Sequence, residues 1–439
     1  MQSLKEILKT IGERHGVQQL NPMQRAVADA RAGRLILLAP TGSGKTLAFT
    51  VPMVQRLSHD AAGVQAVIVA PTRELVIQIA DVVRPVASGY KTVSLYGGHP
   101  MQDEINSMTP VPDIIVATPG RLLDHLLRGT ADIATASQLV LDEYDKSLEL
   151  GFHDQMRRIV RRTRRLKYVM LTSATPLSEM PDFLDLSQAK VLDFSAKAQA
   201  PRERMSISLV RSEDKDKLLS LLRLLRSLPD GKTMIFVNHR ESAERVYDFL
   251  RSEEMPAGLY HGGLDQLRRQ LAVDMLNNGT TPILVTTDLA SRGLDVEAVR
   301  SVIHYHLPPS PQSWTHRNGR TARVDAAGYV YILASNDERL PEYVDYDSEY
   351  IPDDVNPDPI RSVTATIYIN AGKKEKISRG DIVGFLAKQA GLSGGEIGKI
   401  NLMDHQAIVA VPAARAADVT EAFASAKIKN QRVKATLYL

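Results

Sequence analysis

Two patterns of apolar residues alternate along this chain. Short runs that are apolar throughout, such as Leu35-Ile36-Leu37-Leu38 and Leu139-Val140-Leu141, are separated by longer stretches with helical spacing. Runs of that kind suit strands of a parallel sheet whose two faces are both covered by helices. Over residues 20–195 the strand candidates are Arg34–Leu38, Ala66–Ala70, Thr92–Tyr96, Ile114–Ala117, Leu139–Leu141 and Tyr168–Leu171. A second set over residues 205–340 offers Met234–Val237, Ile283–Thr286, Ser301–His304 and Gly328–Leu333. The last segment reads β (Thr364–Asn370), α (Arg379–Ala390), β (Gly398–Asp404), β (Ala407–Pro412), α (Ala414–Lys427), β (Gln431–Leu439). That order suits a small α+β sandwich with a four-stranded sheet.

Polar stretches punctuate this pattern. Ser195–Arg204 reads as a linker, and Glu338–Asp358 holds eight acidic residues and one basic one, with Pro341, Pro352 and Pro357. The simplest account of the second stretch is a solvated acidic linker. The expected organisation is an α/β chain with a parallel-sheet domain over 1–200, another over 205–340, an acidic linker over 341–362 and a small α+β domain over 363–439.

Composition narrows the class. A chain of 439 residues, 44% apolar and 24% charged, is globular and too long for one ordinary core. The absence of cysteine excludes a disulfide framework and a thiolate metal site. The first residues, Met1-Gln2-Ser3-Leu4-Lys5-Glu6, carry charges where a signal peptide has its apolar core, and no apolar run approaches the roughly 20 residues that cross a bilayer. A cytoplasmic monomer without membrane contact is therefore expected. Net charge is only +3, so any surface for nucleic acid has to arise from local clustering.

The chemistry begins at Ala39-Pro40-Thr41-Gly42-Ser43-Gly44-Lys45-Thr46, between the run Leu35–Leu38 and a helix start at Leu47-Ala48-Phe49. A strand, a glycine-rich loop and a helix start present backbone N–H groups at the positive end of a helix, where phosphates bind. Lys45 can reach β- and γ-phosphates, and the Thr46 hydroxyl can ligate Mg²⁺, so ATP with Mg²⁺ is the expected ligand pair. The first position of the usual loop pattern is Ala39 rather than glycine.

Asp142 and Glu143 follow the apolar strand Leu139–Leu141, at the end where parallel sheets bind ligands. Asp142 can hold Mg²⁺, and Glu143 is suited to polarise an attacking water. In the second set, His316-Arg317-Asn318-Gly319-Arg320-Thr321-Ala322-Arg323 spaces arginines three apart, so Arg317, Arg320 and Arg323 can share one helix face. Guanidinium groups of that kind stabilise charge developing on a transferred phosphoryl group.

Together these motifs, in this order, resemble the DEAD-box RNA helicases. The match runs from Asn21-Pro22-Met23-Gln24 through the phosphate loop, Pro71-Thr72-Arg73-Glu74-Leu75, Gly97-Gly98, Thr118-Pro119-Gly120-Arg121, Asp142-Glu143-Tyr144-Asp145 and Ser173-Ala174-Thr175. It continues through Ile235-Phe236-Val237-Asn238, Gln266 with Arg269, Thr286-Thr287-Asp288, Arg292-Gly293-Leu294-Asp295 and the His316 motif. The resemblance implies two RecA-like domains that bind ATP and Mg²⁺ and hold RNA. It implies that Gln24 reads the adenine, that Thr41, Gly42, Ser43, Gly44, Lys45 and Thr46 hold the phosphates, and that Asp295 contacts the ribose. Arg320 and Arg323 become the arginine fingers. Arg73, Gly98, Thr118, Arg121 and Arg269 become RNA contacts, while Asp145, Ser173, Thr175 and His316 couple hydrolysis to unwinding. This chain departs from the family pattern at Tyr144 in place of alanine, at Ala322 in place of glycine, and at Ile7 and Leu8 near the position of the usual upstream aromatic.

The segment 363–439 carries eleven Lys/Arg against six Asp/Glu. Lys427, Lys429, Arg432 and Lys434 cluster late in it, and this excess favours RNA binding. Its element order resembles an RNA-recognition-motif (RRM) fold in which Tyr368 is the one good stacking candidate. Gly372-Lys373-Lys374, Arg379-Gly380-Asp381-Ile382-Val383-Gly384 and Ile397-Gly398-Lys399-Ile400 resemble the C-terminal domain of the bacterial DbpA subgroup. That resemblance implies large-subunit ribosomal RNA as partner and a role in ribosome assembly. The alternatives are an ATP-gated RNA clamp with weak hydrolysis, a general RNA helicase, and a DNA translocase of the same superfamily.

Overall fold

A computed structural model describes residues 4–40, 42–177, 180–195, 202–291, 296, 299–322, 327–353, 360, 362–425, 427–429 and 431–438. Thr41, Asp295 and Arg323 lie outside the described residues. The chain forms two compact units, 1–200 and 201–439.

In the first unit the strands are β1 (Arg34–Leu38), β2 (Ala66–Val69), β3 (Thr92–Leu95), β4 (Ile114–Ala117), β5 (Gln138–Leu141), β6 (Tyr168–Ser173) and β7 (Lys190–Asp193). They form one parallel sheet in the order β3-β4-β2-β5-β6-β1-β7. Alternate residues of these strands enter two separate cores. Leu35 and Leu37 join one face, and Ile36 and Leu38 the other. Helices cover both faces, which is why the strands read as unbroken apolar runs.

The second unit repeats the plan. Strands β8 (Met205–Ser212), β9 (Lys232–Phe236), β10 (Ala257–Tyr260), β11 (Ile283–Thr286), β12 (Val299–His304), β13 (Gly328–Ser335) and β14 (Ser348–Glu349) form a parallel sheet in the order β10-β11-β9-β12-β13-β8-β14. The acidic stretch is not merely solvated, as its composition suggests. Asp347 accepts from the Ile207 N–H at 2.8 Å, and Asp345 and Asp347 hold the Arg202 guanidinium at 3.2 and 2.7 Å. Ser348–Glu349 then pairs with β8 as the edge strand.

The same unit ends in an antiparallel sheet ordered β16-β17-β15-β18, from β15 (Thr364–Ile369), β16 (Ile400–Leu402), β17 (Ala407–Pro412) and β18 (Ala435–Tyr438). One face packs on the helices Arg379–Gln389 and Ala416–Ser425, with Ile367, Ile369, Phe385 and Phe423 in the core. The other face meets the helix Gln266–Asn278 of the preceding domain. Leu271 and Met275 pack with Ile408, joined by Tyr368, Met403 and Tyr438. Polar contacts frame this seam: Asn278 Nδ2 donates to Thr366 Oγ1 at 2.8 Å, Thr280 and Thr366 hydroxyls pair at 2.8 Å, and Asn401 Nδ2 donates to Asp274 at 3.0 Å. Met275→Asp puts a charge into this small apolar contact. We expect unchanged helix content by circular dichroism and a larger maximum dimension by small-angle scattering; an unchanged scattering profile would show that the seam does not hold the C-terminal domain.

Candidate active site and nucleic-acid interface

Because the first sheet is parallel, every loop that follows a strand reaches the same edge. The order β3-β4-β2-β5-β6-β1-β7 divides that edge in two. The loops after β5, β6 and β1 carry the residues expected to meet phosphate, and the loops after β2, β3 and β4 carry Arg73, Gly98, Thr118 and Arg121, those expected to meet RNA.

The phosphate loop ends at Gly44, in the left-handed conformation with φ 88°, and the helix Lys45–Gln55 begins directly after it. Asn21 caps the helix Pro22–Ala28 in a reciprocal box with Gln24 and also donates to Ser43 O at 3.0 Å. Gln24 Nε2 donates to Gly44 O at 3.1 Å. The turn at φ 88° favours glycine, and a Cβ there would lie 2.5 Å from that nitrogen and push the Gln24 amide away. Gln24 is therefore fastened to the phosphate loop itself. Ile7 is fully buried in the core and is not placed to stack on a base. Lys45 is buried, with its ammonium 2.8 Å from Ala39 O and 3.1 Å from Pro40 O.

Asp142 is buried and accepts a short hydrogen bond from Thr172 Oγ1, whose oxygen in turn receives the Glu143 N–H at 3.2 Å. Burial pushes the Asp142 carboxyl above its usual range, against the opposing pull of Lys45 and Thr172. Glu143 sits in the left-handed region at φ 46°. A non-glycine residue held there costs about 1 kcal/mol or more, a strain characteristic of functional sites. The Tyr144 ring is fully buried in the apolar cluster that includes Ile36, Leu38, Leu171 and Met156. It finds its room in the core beneath the sheet. Thr175 Oγ1 donates to Asp145 at 3.1 Å, and the Thr175 N–H donates to Ser173 Oγ at 3.2 Å. Asp145, Ser173 and Thr175 are thus linked.

On the other half of the edge, the Arg73 guanidinium lies against Gly97-Gly98. A Cβ on Gly98, whose φ is 102°, would fall 2.4 Å from Arg73 Nη1. Thr118 precedes the helix Pro119–Arg128 in extended conformation and hands its N–H to Leu95 O at 3.0 Å. Arg121 stands 2.7 Å from Glu104 Oε2 and donates to His99 O at 2.7 Å. Glu104 is the hub that the sequence did not reveal. It is 3% exposed and gathers His99 at 3.1 Å, His125 at 2.8 Å and the Tyr96 N–H at 2.8 Å. Burial alone would raise its carboxyl, but the bonds from His125, His99 and Tyr96 and the charge of Arg121 hold it at about 2.

The second unit corrects one expectation. The helix Pro311–Asn318 ends before Arg320, so the three arginines do not share a helix face. Arg317 is fully buried and occupied: it bonds Asp288 at 2.6 and 3.0 Å, Asn238 at 2.8 Å and His306 O at 2.9 Å. Arg320 and His316 are also buried. Ala322 stands at φ 54°, the conformation that explains glycine at this place in the family pattern. Arg269 is 8% exposed and donates to Gln266 at 2.8 Å.

In the C-terminal domain, Tyr368 is part of the seam with the helix Gln266–Asn278, and its hydroxyl donates to Gln406 at 3.2 Å. The sheet face that would stack bases is thus covered. Lys429 is exposed, 2.9 Å from Asp381, and donates to Lys376 O at 3.2 Å. Lys427, Arg432 and Lys434 are exposed too.

Comparison with known proteins agrees with this geometry. The DEAD/DEAH box helicase family matches residues 21–183, the helicase conserved C-terminal domain residues 216–325, and the DbpA RNA binding domain residues 366–437. Two ligand-bound structures share the fold: Mss116p bound to ssRNA and AMP-PNP (TM-score 0.68, 27% identity, 80% of this chain and 78% of that one) and S. cerevisiae Dbp5 bound to RNA and ADP BeF3 (TM-score 0.65, 25% identity, 75% of this chain and 87% of that one). The DeaD helicase of Mycobacterium tuberculosis is 34% identical over 339 residues, 75% of this chain and 59% of that protein. The chain belongs to the DEAD-box family of ATP-dependent RNA helicases, enzymes that hydrolyse ATP. Its similarity to the ATP-dependent RNA helicase DbpA of Escherichia coli (strain K12) extends over all three domains, at 31% identity over 434 residues, 96% of this chain and 95% of that protein.

Two outcomes test the strand-binding half of the edge. Gly98→Ala should displace Arg73 and lower RNA-stimulated ATPase by about tenfold, in line with loss of one desolvated charge contact of roughly 1.5–3 kcal/mol; unaltered stimulation would remove Arg73 from the RNA path. Glu104 has a depressed pKa, so the stability it contributes is present above about 4.5, its unfolded value, and lost as pH falls towards about 2. Urea midpoints of the natural protein and Glu104→Gln should therefore converge as pH drops through that window; a constant gap would mean that the carboxylate charge is not what stabilises the network.

Proposed function

We propose that this chain couples hydrolysis of ATP with Mg²⁺ to local unwinding of short RNA duplexes, on large-subunit ribosomal RNA during ribosome assembly in the cytoplasm. The observation that carries the reading is the division of one sheet edge into adjoining phosphate and RNA halves, appended to a match with the DbpA RNA binding domain. The residues fit a hard divalent cation. Asp142 is a buried carboxylate whose burial opposes ionisation, and Thr46 at the helix start adds a hydroxyl oxygen; a bound cation would favour the ionised form and neutralise phosphate charge.

In this reading Thr41, Gly42, Ser43 and Gly44 cradle phosphate oxygens through backbone N–H groups, and Lys45 exchanges its loop carbonyls for phosphate. Gln24, held to Gly44 O, reads the adenine edge and reports occupancy to the loop, while Asp295 contacts the ribose. Glu143 orients the attacking water. Arg320 and Arg323 supply positive charge to the transferring phosphoryl group. Arg73, Gly98, Thr118 and Arg121 grip a strand by its phosphates, without reading sequence. The Asp145–Thr175–Ser173 chain of hydrogen bonds starts beside Glu143, and His316 completes the coupling set.

With its sheet face covered, the C-terminal domain presents Lys427, Arg432 and loop backbone to RNA, and Lys429 shapes that surface by bracing Asp381. Glu143→Gln should keep ATP binding and slow RNA-stimulated turnover by about 10² or more. ATPase stimulation should be strongest with ribosomal RNA fragments, weaker with poly-A and absent with duplex DNA; equal stimulation by all RNAs would leave a general helicase and overturn the ribosomal assignment.

A further inference from the structure

The helix His153–Val160 in the first unit runs into Arg161-Arg162-Thr163-Arg164-Arg165-Leu166-Lys167 before β6. Residues 157–167 hold seven Arg/Lys and no Asp/Glu, more positive charge than the net +3 of the entire chain. None of the chemistry above uses them. They lie at the start of β6, at the edge of the sheet opposite the phosphate loop, separated from it by strands of four to six residues that each span about 13–20 Å.

The run is folded into a groove. Leu123, Asp132, Ala134, Arg158, Arg161, Arg162 and Arg164 line a cavity of about 540 Å³. Arg162 anchors one wall by donating to Leu126 O at 2.8 Å, and Arg157 is taken up by Asp154 at 3.3 Å and Asp182 at 2.7 Å. Arg158, Arg161, Arg164, Arg165 and Lys167 are exposed. Asp132 is exposed and lines the groove as its one carboxylate, accepting from the Ala134 N–H at 2.9 Å, so four arginines face a single acidic group. The lining offers only Leu123 and Ala134 as apolar surface and no aromatic anchor, which is poor ground for a protein partner. It offers planar guanidinium forks, which bind phosphate oxygens in pairs.

We propose that this groove is a second RNA site, which holds the phosphate backbone of a structured RNA outside the strand path at the catalytic edge. It rests on RNA being the substrate, which family membership gives. Its ligand is backbone rather than bases, so it adds affinity for large folded RNAs without adding sequence selection. A short single strand that fills only the catalytic edge does not reach it.

The test uses the full chain carrying Arg158→Glu, Arg161→Glu and Arg164→Glu together, with the matching triple Arg→Lys chain as the charge-conserving control. Urea midpoints first establish that both are folded, which exposed positions allow. Binding of a long ribosomal RNA fragment should weaken about tenfold or more in the Glu chain, and the slope of log Kd against log salt should fall by about two to three. The Lys chain should retain most of the slope. ATPase stimulation by a short single-stranded oligonucleotide should be unchanged in both. Unchanged affinity and slope for the long RNA would overturn the proposal, leaving the groove for an acidic protein or for solvent. Equal losses on long and short RNA would overturn it too, because the groove would then not be separate from the catalytic path.

Discussion

A buried ammonium and a buried carboxylate, Lys45 and Asp142, stand at one edge of one sheet, and the rest of the active site is arranged around them. Neither charge is easily kept out of water alone. Lys45 leans on the carbonyls of its own loop, and Asp142 on Thr172. Buried charge that is only partly compensated by the protein invites a ligand of mixed sign, a metal cation with polyphosphate, to complete it. Glu143 is held beside them at φ 46°, and that strain is sustained by the strand below and by a helix whose first residue, Tyr144, is sunk into the core.

Strand order turns this local chemistry into an RNA machine. The loops proposed to hold phosphate and those proposed to hold RNA follow neighbouring strands of the same sheet, the arrangement on which the proposed coupling rests. Within the phosphate half, hydrogen bonds among Asp145, Thr175 and Ser173 tie the loops after β5 and β6 to each other. The Glu104 hub serves the other half by holding Arg121 in place. In the second unit, covering one face of the C-terminal sheet with the helix Gln266–Asn278 fixes which surface of that domain can meet RNA.

Much of this was legible in the residues, for physical reasons that also explain the omissions. Central strands such as β1, β2 and β5 are buried on both faces and announce themselves as apolar runs. Four strands were not legible: Met205–Ser212, whose buried stretch Ile207–Val210 is broken by Ser208 and directly follows the polar run that reads as a linker, and three that lack that signal. Lys190–Asp193 is an exposed edge, Ala257–Tyr260 contains a glycine, and Ser348–Glu349 is two residues inside an acidic run. The phosphate loop and the Asp142 pair were readable because their chemistry is local in sequence. The Glu104 network was not, because its members are brought together only by the fold, and a lone glutamate in a polar helix gives no hint of burial. Spacing misled at Arg317 for a related reason. The helix ends at Asn318, and what occupies Arg317 is Asp288 from a distant loop. At Tyr368 the residue type suggested base stacking, but the seam with the helix Gln266–Asn278 takes up that face of the sheet.

The central claim is that ATP and RNA sites share one sheet edge and are energetically coupled. Thermodynamic linkage makes that coupling reciprocal. Isothermal titration should find that a non-hydrolysable ATP analogue tightens binding of a short single-stranded RNA, and that the RNA tightens binding of the analogue by the same factor, between about 5- and 150-fold. Identical affinities with and without the other ligand would contradict the account.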